Sequence, residues 1–310
     1  VYVNLVRHTR DLTIEAGLRV EQTNVSYTLD PANIYYPRND SYSYFRLFPN
    51  IRLTKAIGTG TDISLFYNRR VDRPGEQEVR VFPKYDDPEL LKVGNPYLRP
   101  QFTTAYELAI QQDWGSLNAS LALYHRTIKD AYQRIYSIDQ SSGTYDIVNK
   151  IYSNTGKASN TGGELIAHWK ADKTLKLNAS LNAFRIRRDP ANVTLLFPYV
   201  RIVTLSPSSD FTWDGKLGVE AALGKSTKMQ LNGVYYAARD IAQGSQAARS
   251  ALDLSLSRTF AKDRIKASLS ATDIFNSFGS KTTVNGVGFD ALYENYYETQ
   301  AVMLSVEFKI

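Results

Sequence analysis

The chain has no cysteine, only two methionines and only three histidines in 310 residues. Without cysteine, neither a disulfide framework nor a thiolate metal site is available. His8, His125 and His168 lie far apart, with none of the close ligand spacing that a zinc site uses. Also missing is any run approaching the ~20 consecutive apolar residues that a membrane-crossing helix needs, and mean hydropathy is −0.33. A helical membrane protein is excluded, but a barrel is not, because barrel strands hide their lipid-facing residues among polar ones. Charge of one sign is not concentrated anywhere. Lys and Arg number 37 against 31 Asp and Glu, and the signs are interleaved, unlike the basic stripe of a nucleic-acid binder. There is no G-x-S-x-G elbow and no phosphate-cradling glycine loop. The enzymatic alternative is a Ser–His site assembled across strands; the sequence assigns no catalytic residue, metal or cofactor.

What is abundant is aromatic: 21 Tyr, 13 Phe and 3 Trp. Abundant too is period-two alternation. Over Ala301–Ile310, Val302, Leu304, Val306, Phe308 and Ile310 fall on one face, and Met303, Ser305, Glu307 and Lys309 on the other. The same pattern runs through Leu12–Val20, Leu117–Leu123, Leu175–Leu181, Leu217–Leu223 and Leu252–Leu256. About thirteen such strands are present, many near the ~10 residues that a tilted membrane strand requires. Tight polar turns at His8–Asp11, Ile57–Thr61, Asp113–Ser116, Ala171–Thr174, Gly224–Thr227 and Ala261–Arg264 alternate with longer joins. Those joins are Asp30–Asp40, Arg73–Arg99, Ser137–Gly143, Asp189–Pro198, Asp240–Gly244 and Ser277–Asn295. An up-and-down membrane meander connects its strands in this way. A soluble sandwich, propeller or solenoid is the competing reading; its turn signals are closer together, and no fixed-period repeat is present. Tyr2, Tyr27, Tyr42, Tyr44, Tyr67, Tyr124, Tyr235, Tyr236, Tyr296 and Tyr297 cluster toward strand ends, where an interfacial aromatic girdle is expected. Val1 leads directly into an apolar run with neither an initiator Met nor a signal-peptide pattern. A truncated start and a native C-terminus are therefore expected.

The run Val93-Gly94-Asn95-Pro96-Tyr97-Leu98-Arg99-Pro100, followed by Tyr106-Glu107-Leu108, resembles a signature of TonB-dependent receptors. Leu47-Phe48-Pro49-Asn50 with Tyr67-Asn68-Arg69-Arg70 and Arg73-Pro74 is similar to the hairpin that precedes it in that family. Asn154-Thr155-Gly156 with Gly163-Glu164-Leu165, and Asp273-Ile274-Phe275-Asn276, resemble segments that follow it. The family usually closes on an aromatic residue, whereas this chain closes on Ile310. The resemblance implies an all-β, antiparallel up-and-down transmembrane barrel in the outer membrane of a Gram-negative cell. On that reading, residues 1–310 are the C-terminal portion of one barrel domain of about 22 strands. The N-terminal plug and first strands would be absent. It implies energised uptake of a scarce ligand, with the chain's own plug, TonB, outer-membrane lipid and lipopolysaccharide as partners, and a surface lipoprotein as a possible addition. The alternative is a non-transporting barrel that docks surface or secretion partners.

The alternation places Glu15, Arg19, Arg52, Arg70, Glu107, Arg126, Glu164, Lys176, Glu220, Asp253, Lys266 and Glu307 on the inward face. Of these, Glu15, Arg19, Arg52, Glu107, Glu164 and Glu220 are expected to face the plug, and Arg70 and Arg126 a ligand. The bland reading is a hydrated wall whose charges pair between strands. Long loops on a rigid scaffold are where recognition concentrates. That adds Arg73, Arg80 and Tyr85 of the 73–99 loop, beside Lys84, Asp86, Asp87 and Lys92, and Tyr293 and Tyr296, beside Phe289, of the last loop. Arg188, with Arg185, Arg187 and Arg201, flanks another loop and suits lipopolysaccharide phosphate or an anionic ligand, or is a solvated rim.

Overall fold

The structure is a computed structural model that describes residues 1–84, 90–141, 143, 146–262 and 264–309. Tyr85, Asp86, Asp87 and Ile310 lie outside the described residues. The chain begins with four strands of one sheet: β1 (Tyr2–His8), β2 (Leu12–Thr28), β3 (Asn39–Ala56) and β4 (Thr61–Asp72). It then leaves the sheet for the short helix α1 (Glu76–Val79) and β5 (Leu90–Val93), and returns as β6 (Gln101–Asp113) and β7 (Leu117–Lys129). A second excursion forms β8 (Tyr132–Asp139) and β9 (Ile147–Asn154) before β10 (Ala158–Lys170) and β11 (Leu175–Arg188). A third forms β12 (Ala191–Leu195) and β13 (Arg201–Leu205), followed by β14 (Ser208–Leu223) and β15 (Thr227–Tyr236). The fourth forms β16 (Arg239–Ile241) and β17 (Gly244–Gln246), followed by β18 (Arg249–Phe260) and β19 (Ile265–Thr272). The last forms β20 (Ser280–Gly286) and β21 (Phe289–Asn295) before β22 (Ala301–Phe308).

Thirteen of these strands make a single sheet in chain order, each antiparallel to the next, with β1 and β22 as its open edges. The excursions all leave from one rim and tight turns close the other. At Gly60 the turn requires glycine: φ is +76°, and a Cβ there would lie 2.4 Å from the Asp113 carbonyl oxygen. Asp113 N–H in turn donates to the Gly60 carbonyl at 2.8 Å.

The register shows why the wall alternates. Leu53, Leu65, Leu108, Leu123, Gly163, Ala183 and Trp213 are successive partners across β3, β4, β6, β7, β10, β11 and β14. Leu117, Trp169, Leu177, Val219, Leu231 and Leu254 form a second apolar row nearer the turns. Among the described residues nothing covers this face, and Leu165, at 46% exposure, is typical. Tyr106, Phe211, Trp213 and Tyr235 edge it toward the loops, and Trp114, Trp169, Phe260 and Phe308 toward the turns. From Tyr106 to Trp114 the strand advances roughly 27 Å at ~3.4 Å per residue, or about 20 Å when tilted by ~40°. That is close to the ~25 Å apolar band of outer-membrane walls. Tyr67 and Tyr235 belong to the girdle as expected. Tyr124 does not, because it faces inward and donates to Asn182 Oδ1 at 2.8 Å; strand-end position carries no information about face.

Among the described residues the packed apolar core lies above the loop rim. Tyr36, Val93, Ile135, Ile151, Val193, Leu195, Phe197, Val203 and Leu205 form its main cluster. Tyr36 comes from the β2–β3 connection, and the others from a sheet of β5, β9 and β8, in which β5 runs parallel to β9, and from the β12–β13 hairpin. Leu90, Tyr136 and Val284 join that sheet to a four-stranded one of β16, β17, β20 and β21. The loops expected as irregular joins are thus largely folded. The Ser137–Gly143 and Asp240–Gly244 joins fall at hairpin tips inside two excursions rather than between wall strands. Period two marks a cap strand and a wall strand alike, so spacing alone does not separate them.

In the intact protein, Leu165→Arg on the apolar face is expected to cost ~2–4 kcal/mol of folding stability in vesicles. Ser120→Arg, at similar depth on the polar face, is expected to stay within about 0.5 kcal/mol. Denaturant titration of the lipid-embedded protein measures both, and equal costs would reverse the assignment of faces.

Candidate ligand-facing cap and inner wall

The sequence segments singled out above meet in one latch. Gly94 N–H donates to the Arg80 carbonyl at 2.9 Å, and a Cβ on Gly94 would lie 2.3 Å from that oxygen, so only glycine fits. Asn95 Oδ1 accepts from Tyr97 N–H and Asn95 Nδ2 donates to the Tyr152 carbonyl, each at 3.0 Å. Asn154 then clasps Arg99 from both sides. Its Oδ1 accepts from Arg99 N–H at 2.9 Å, and its Nδ2 donates to the Arg99 carbonyl at 3.0 Å and the Asp130 carbonyl at 2.7 Å. The excursions after β4 and β7 are therefore one unit. The Arg99 guanidinium pairs with Asp40 and lies 4.4 Å from the Tyr42 ring centre, which ties in the β2–β3 connection. Tyr36, whose phenol is pushed up by burial, donates to the Gly94 carbonyl at 3.2 Å.

Inside the cap, several buried polar groups have no partner among the described residues. Asn149 is fully buried, and neither its Oδ1 nor its Nδ2 has a hydrogen-bond partner. The buried Ser137 and Ser153 hydroxyls are in the same condition. Ser153 borders a cavity of about 230 Å³ lined also by Tyr36, Asn95, Tyr97, Ile151 and Thr194. An unpaired buried polar atom costs ~1–3 kcal/mol unless water or another hydrogen-bonding group reaches it.

The last excursion hangs on Asp273. Its Oδ1 accepts from Ser277 N–H at 3.0 Å, and its Oδ2 from Phe278 N–H at 3.3 Å and the Thr299 hydroxyl at 2.6 Å. Asp273 N–H donates to Asp253 Oδ1 at 2.8 Å. Burial works to raise the Asp273 pKa, but the bonds from Thr299, Ser277 and Phe278 outweigh it and hold the carboxyl below its ordinary range.

The inner wall carries most of the other expected residues. Glu15, Arg52, Phe66, Glu107 and Tyr124 are successive register partners in one row. Asn68, Ala105, Arg126 and Asn160 form the next toward the loops, and Arg70, Thr103, Ile128, Ala158 and Arg188 the one beyond. Arg19 lies over Phe48 at 4.8 Å and pairs with Glu21 at 3.3 Å. Glu21 also receives Arg73 at 2.5 Å. Arg70 pairs with Asp72 at 3.7 Å, and Lys176 with Glu220 at 3.4 Å. Arg126 rests over Tyr124, and Arg188 donates to Ser208 Oγ and the Asp240 carbonyl. Arg80 pairs with Glu76 at 3.7 Å along α1. Tyr293 stacks on Tyr136 at 5.9 Å inside the cap, whereas Tyr296 is 73% exposed and donates to Glu294.

The sequence reading did not single out the chain Tyr124–Asn182–Asp214, in which Asn182 Nδ2 donates to Asp214 Oδ2 at 3.1 Å opposite Glu164. Asn182 and Asp214 lie on the polar parity of their strands, but only the register aligns them. The three histidines bind neighbours on their own hairpins or the adjoining strand: Thr13, Thr161 and Asn178.

The family model described as the outer membrane protein beta-barrel family matches residues 1–308. No curated protein matches the chain. Among solved structures it resembles the copper transporter OprC, with a TM-score of 0.67 and 16% identity over 99% of this chain and 46% of that one. It also resembles the siderophore receptor PirA of Pseudomonas aeruginosa, at TM-score 0.59 and 13% identity over 98% and 47%. The FrpB iron transporter of Neisseria meningitidis follows at TM-score 0.58 and 16% identity over 98% and 44%. The chain spans less than half the length of each, and all three are transporters or receptors rather than enzymes.

In the intact protein, Asn154→Ala is expected to remove about 2–3 kcal/mol from cap stability, because three bonds vanish and the buried Arg99 backbone is stranded. Faster amide exchange at residues 90–100 is the readout. The Asp273 contribution is fully present above the pKa of an unfolded aspartate and is lost as pH falls through its depressed folded value. Acid loosening of residues 273–300, followed by amide exchange, is expected to disappear in Asp273→Asn.

Proposed function

The chain belongs to the outer membrane protein β-barrel family, and from that premise we propose that it is the last part of the wall, with the extracellular cap, of a TonB-dependent receptor that imports a metal ion or metal chelate. The missing wall strands pair with the open edges β1 and β22, because unpaired backbone groups in lipid cost several kcal/mol each. The observation that carries the reading is a folded, latched cap standing directly above a polar inner wall. A scaffold that served only as a wall has no use for a cap with its own core, a cavity and unpartnered polar atoms.

In this reading a plug occupies the lumen and contacts Glu15, Arg19, Arg52, Glu107, Glu164 and Glu220. The ligand descends past Arg70, Arg73, Arg80, Arg126, Arg188, Tyr293 and Tyr296. Their present partners (Asp72, Glu21, Glu76, the Tyr124 ring, Asp240, Tyr136 and Glu294) hold these side chains in place until a ligand competes for them. TonB acts on the plug and not on these residues. The likeness to a copper transporter, a siderophore receptor and an iron transporter supports a metal-bearing cargo.

A second reading is docking of a surface protein, favoured by the exposed apolar side chains of Ile34, Phe82, Val200 and Val287 on separate excursions. Cells expressing the intact protein are expected to accumulate a radiolabelled metal chelate well above background. That accumulation is expected to collapse when TonB is deleted. Accumulation of neither free metal nor any chelate tested, with the protein folded in the membrane, would leave the docking reading in its place.

A further inference from the structure

We propose that the turn side of the inner wall holds an anion site through which an anionic metal chelate leaves the lumen. This rests on the uptake reading above and narrows it, since such a site repels a bare metal cation. Where β11, β14, β15, β18 and β19 approach their turns, the wall carries a depression of about 690 Å³. Lys173, Lys176, Lys225, Lys228 and Lys266 line it, against one carboxylate, Glu220. The register sets these side chains on the polar face. Lys176 partners Glu220, Glu220 partners Gln230, Lys228 partners Ser257, and Lys266 partners Thr259.

Glu220 pairs with Lys176 at 3.4 Å. Among the described residues none of Lys173, Lys225, Lys228 and Lys266 has a carboxylate within 4.0 Å. The depression therefore keeps an excess of positive charge. That excess belongs to one sector of the wall. At the turn ends of β2, β3, β4, β6 and β7 the inner parity carries Thr13, Thr54, Asp62, Gln111 and Asn118 instead.

Exposed lysines in bulk water need no partner, so their number alone decides nothing. Here the strands that carry them are backed by the Leu177–Val219–Leu231–Leu254 row of the apolar face. A low-dielectric wall behind a cleft of one sign focuses its field and raises the local concentration of counter-ions by about 10- to 10³-fold. Lys176 and Lys228 stand two strand spacings apart across β14, and Lys228 and Lys266 two apart across β18. Each separation is about 10 Å, which suits a chelate with several acidic groups better than a single small anion. The residue type agrees. Toward the loops the inner wall uses arginine, at Arg19, Arg70, Arg126 and Arg188, whose planar fork clamps an anion. At the turn side it uses lysine, a hydrated point charge on a flexible stem. A site on a permeation path must hold its ion weakly enough to let it go, and lysine suits release where arginine suits capture.

The test uses the intact protein in detergent micelles at low ionic strength. The probe is citrate, with its neutral trimethyl ester and hexaamminecobalt(III) as controls. Acetylation of lysines, followed by mass spectrometry, reads the site in the unmutated protein. Saturating citrate is expected to slow acetylation of Lys228 and Lys266 at least about tenfold and to leave Lys55, on the outer parity of β3, unchanged. The ester and the cobalt complex are expected to protect neither. By titration calorimetry, citrate binding is expected to weaken at least about tenfold in Lys228→Gln/Lys266→Gln, to survive in Lys228→Arg/Lys266→Arg, and to vanish at high salt. Equal protection by the ester, equal protection by the cobalt complex, or unchanged binding in the glutamine variant would overturn the site. So would lysines already unreactive before citrate is added, which would assign the depression to a covering segment of protein. Because protection is read without mutation, misfolding of a variant does not remove the test. Chelate accumulation measured in parallel separates the two proposals. Uptake without citrate protection removes the exit site alone, and citrate protection without uptake of any chelate counts against the transport reading alone.

Discussion

Thirteen strands satisfy their backbone hydrogen bonds almost wholly against one another, and the rest of the molecule is arranged around that continuous ladder. Once each strand is fixed to its neighbour, every side chain is committed to one of two faces. In this wall one face is leucine-rich and uncovered, and the other carries Glu, Arg, Asn and Tyr. Among the described residues no second layer buries the first face. Hydrocarbon does so, and the aromatic residues at both margins mark where it ends.

The same commitment explains where the packed core is found. A soluble domain would centre its core between layers, whereas here the buried apolar residues gather beyond the loop rim. The excursions are too long to be simple turns, and they must bury their own apolar residues in water. They do this by pairing into small sheets and locking onto one another through Asn95 and Asn154, while Asp273 braces the last excursion within itself. The cap is thus a soluble domain assembled from separate insertions, held on a scaffold whose own stability comes from lipid.

This division gives the two surfaces different chemistry. On the inner wall Lys176 pairs with Glu220 on the neighbouring strand, Arg19 and Arg70 pair along their own strands, and polar chains such as Tyr124–Asn182–Asp214 form. The bland expectation of charges that pair between strands thus describes Lys176 and Glu220. Among the described residues Arg69 has no carboxylate within 4.0 Å, whereas Arg70 pairs with Asp72, a difference that local sequence does not reveal, because the two are adjacent and face opposite ways.

The small cap sheets were not legible in the sequence, whereas the antiparallel all-β class, the thirteen strands of the wall, the alternation of tight turns with longer joins, and the polar parity of Glu15, Arg52, Glu107 and Glu164 were. Each follows from period two and from turn chemistry, which act over a few residues. The Gly94-Asn95-Pro96 and Asn154-Thr155-Gly156 segments were legible as signals but not as partners. Their contact joins residues 55 apart in the chain, and only closure of two excursions onto each other creates it. Tyr85 was singled out and lies outside the described residues. By itself the sequence determined which residues alternate and where the chain turns, because those preferences are local. The tertiary structure alone decided which strands leave the wall to build the cap, which charges meet, and where the edges stay open, because these depend on register across many strands.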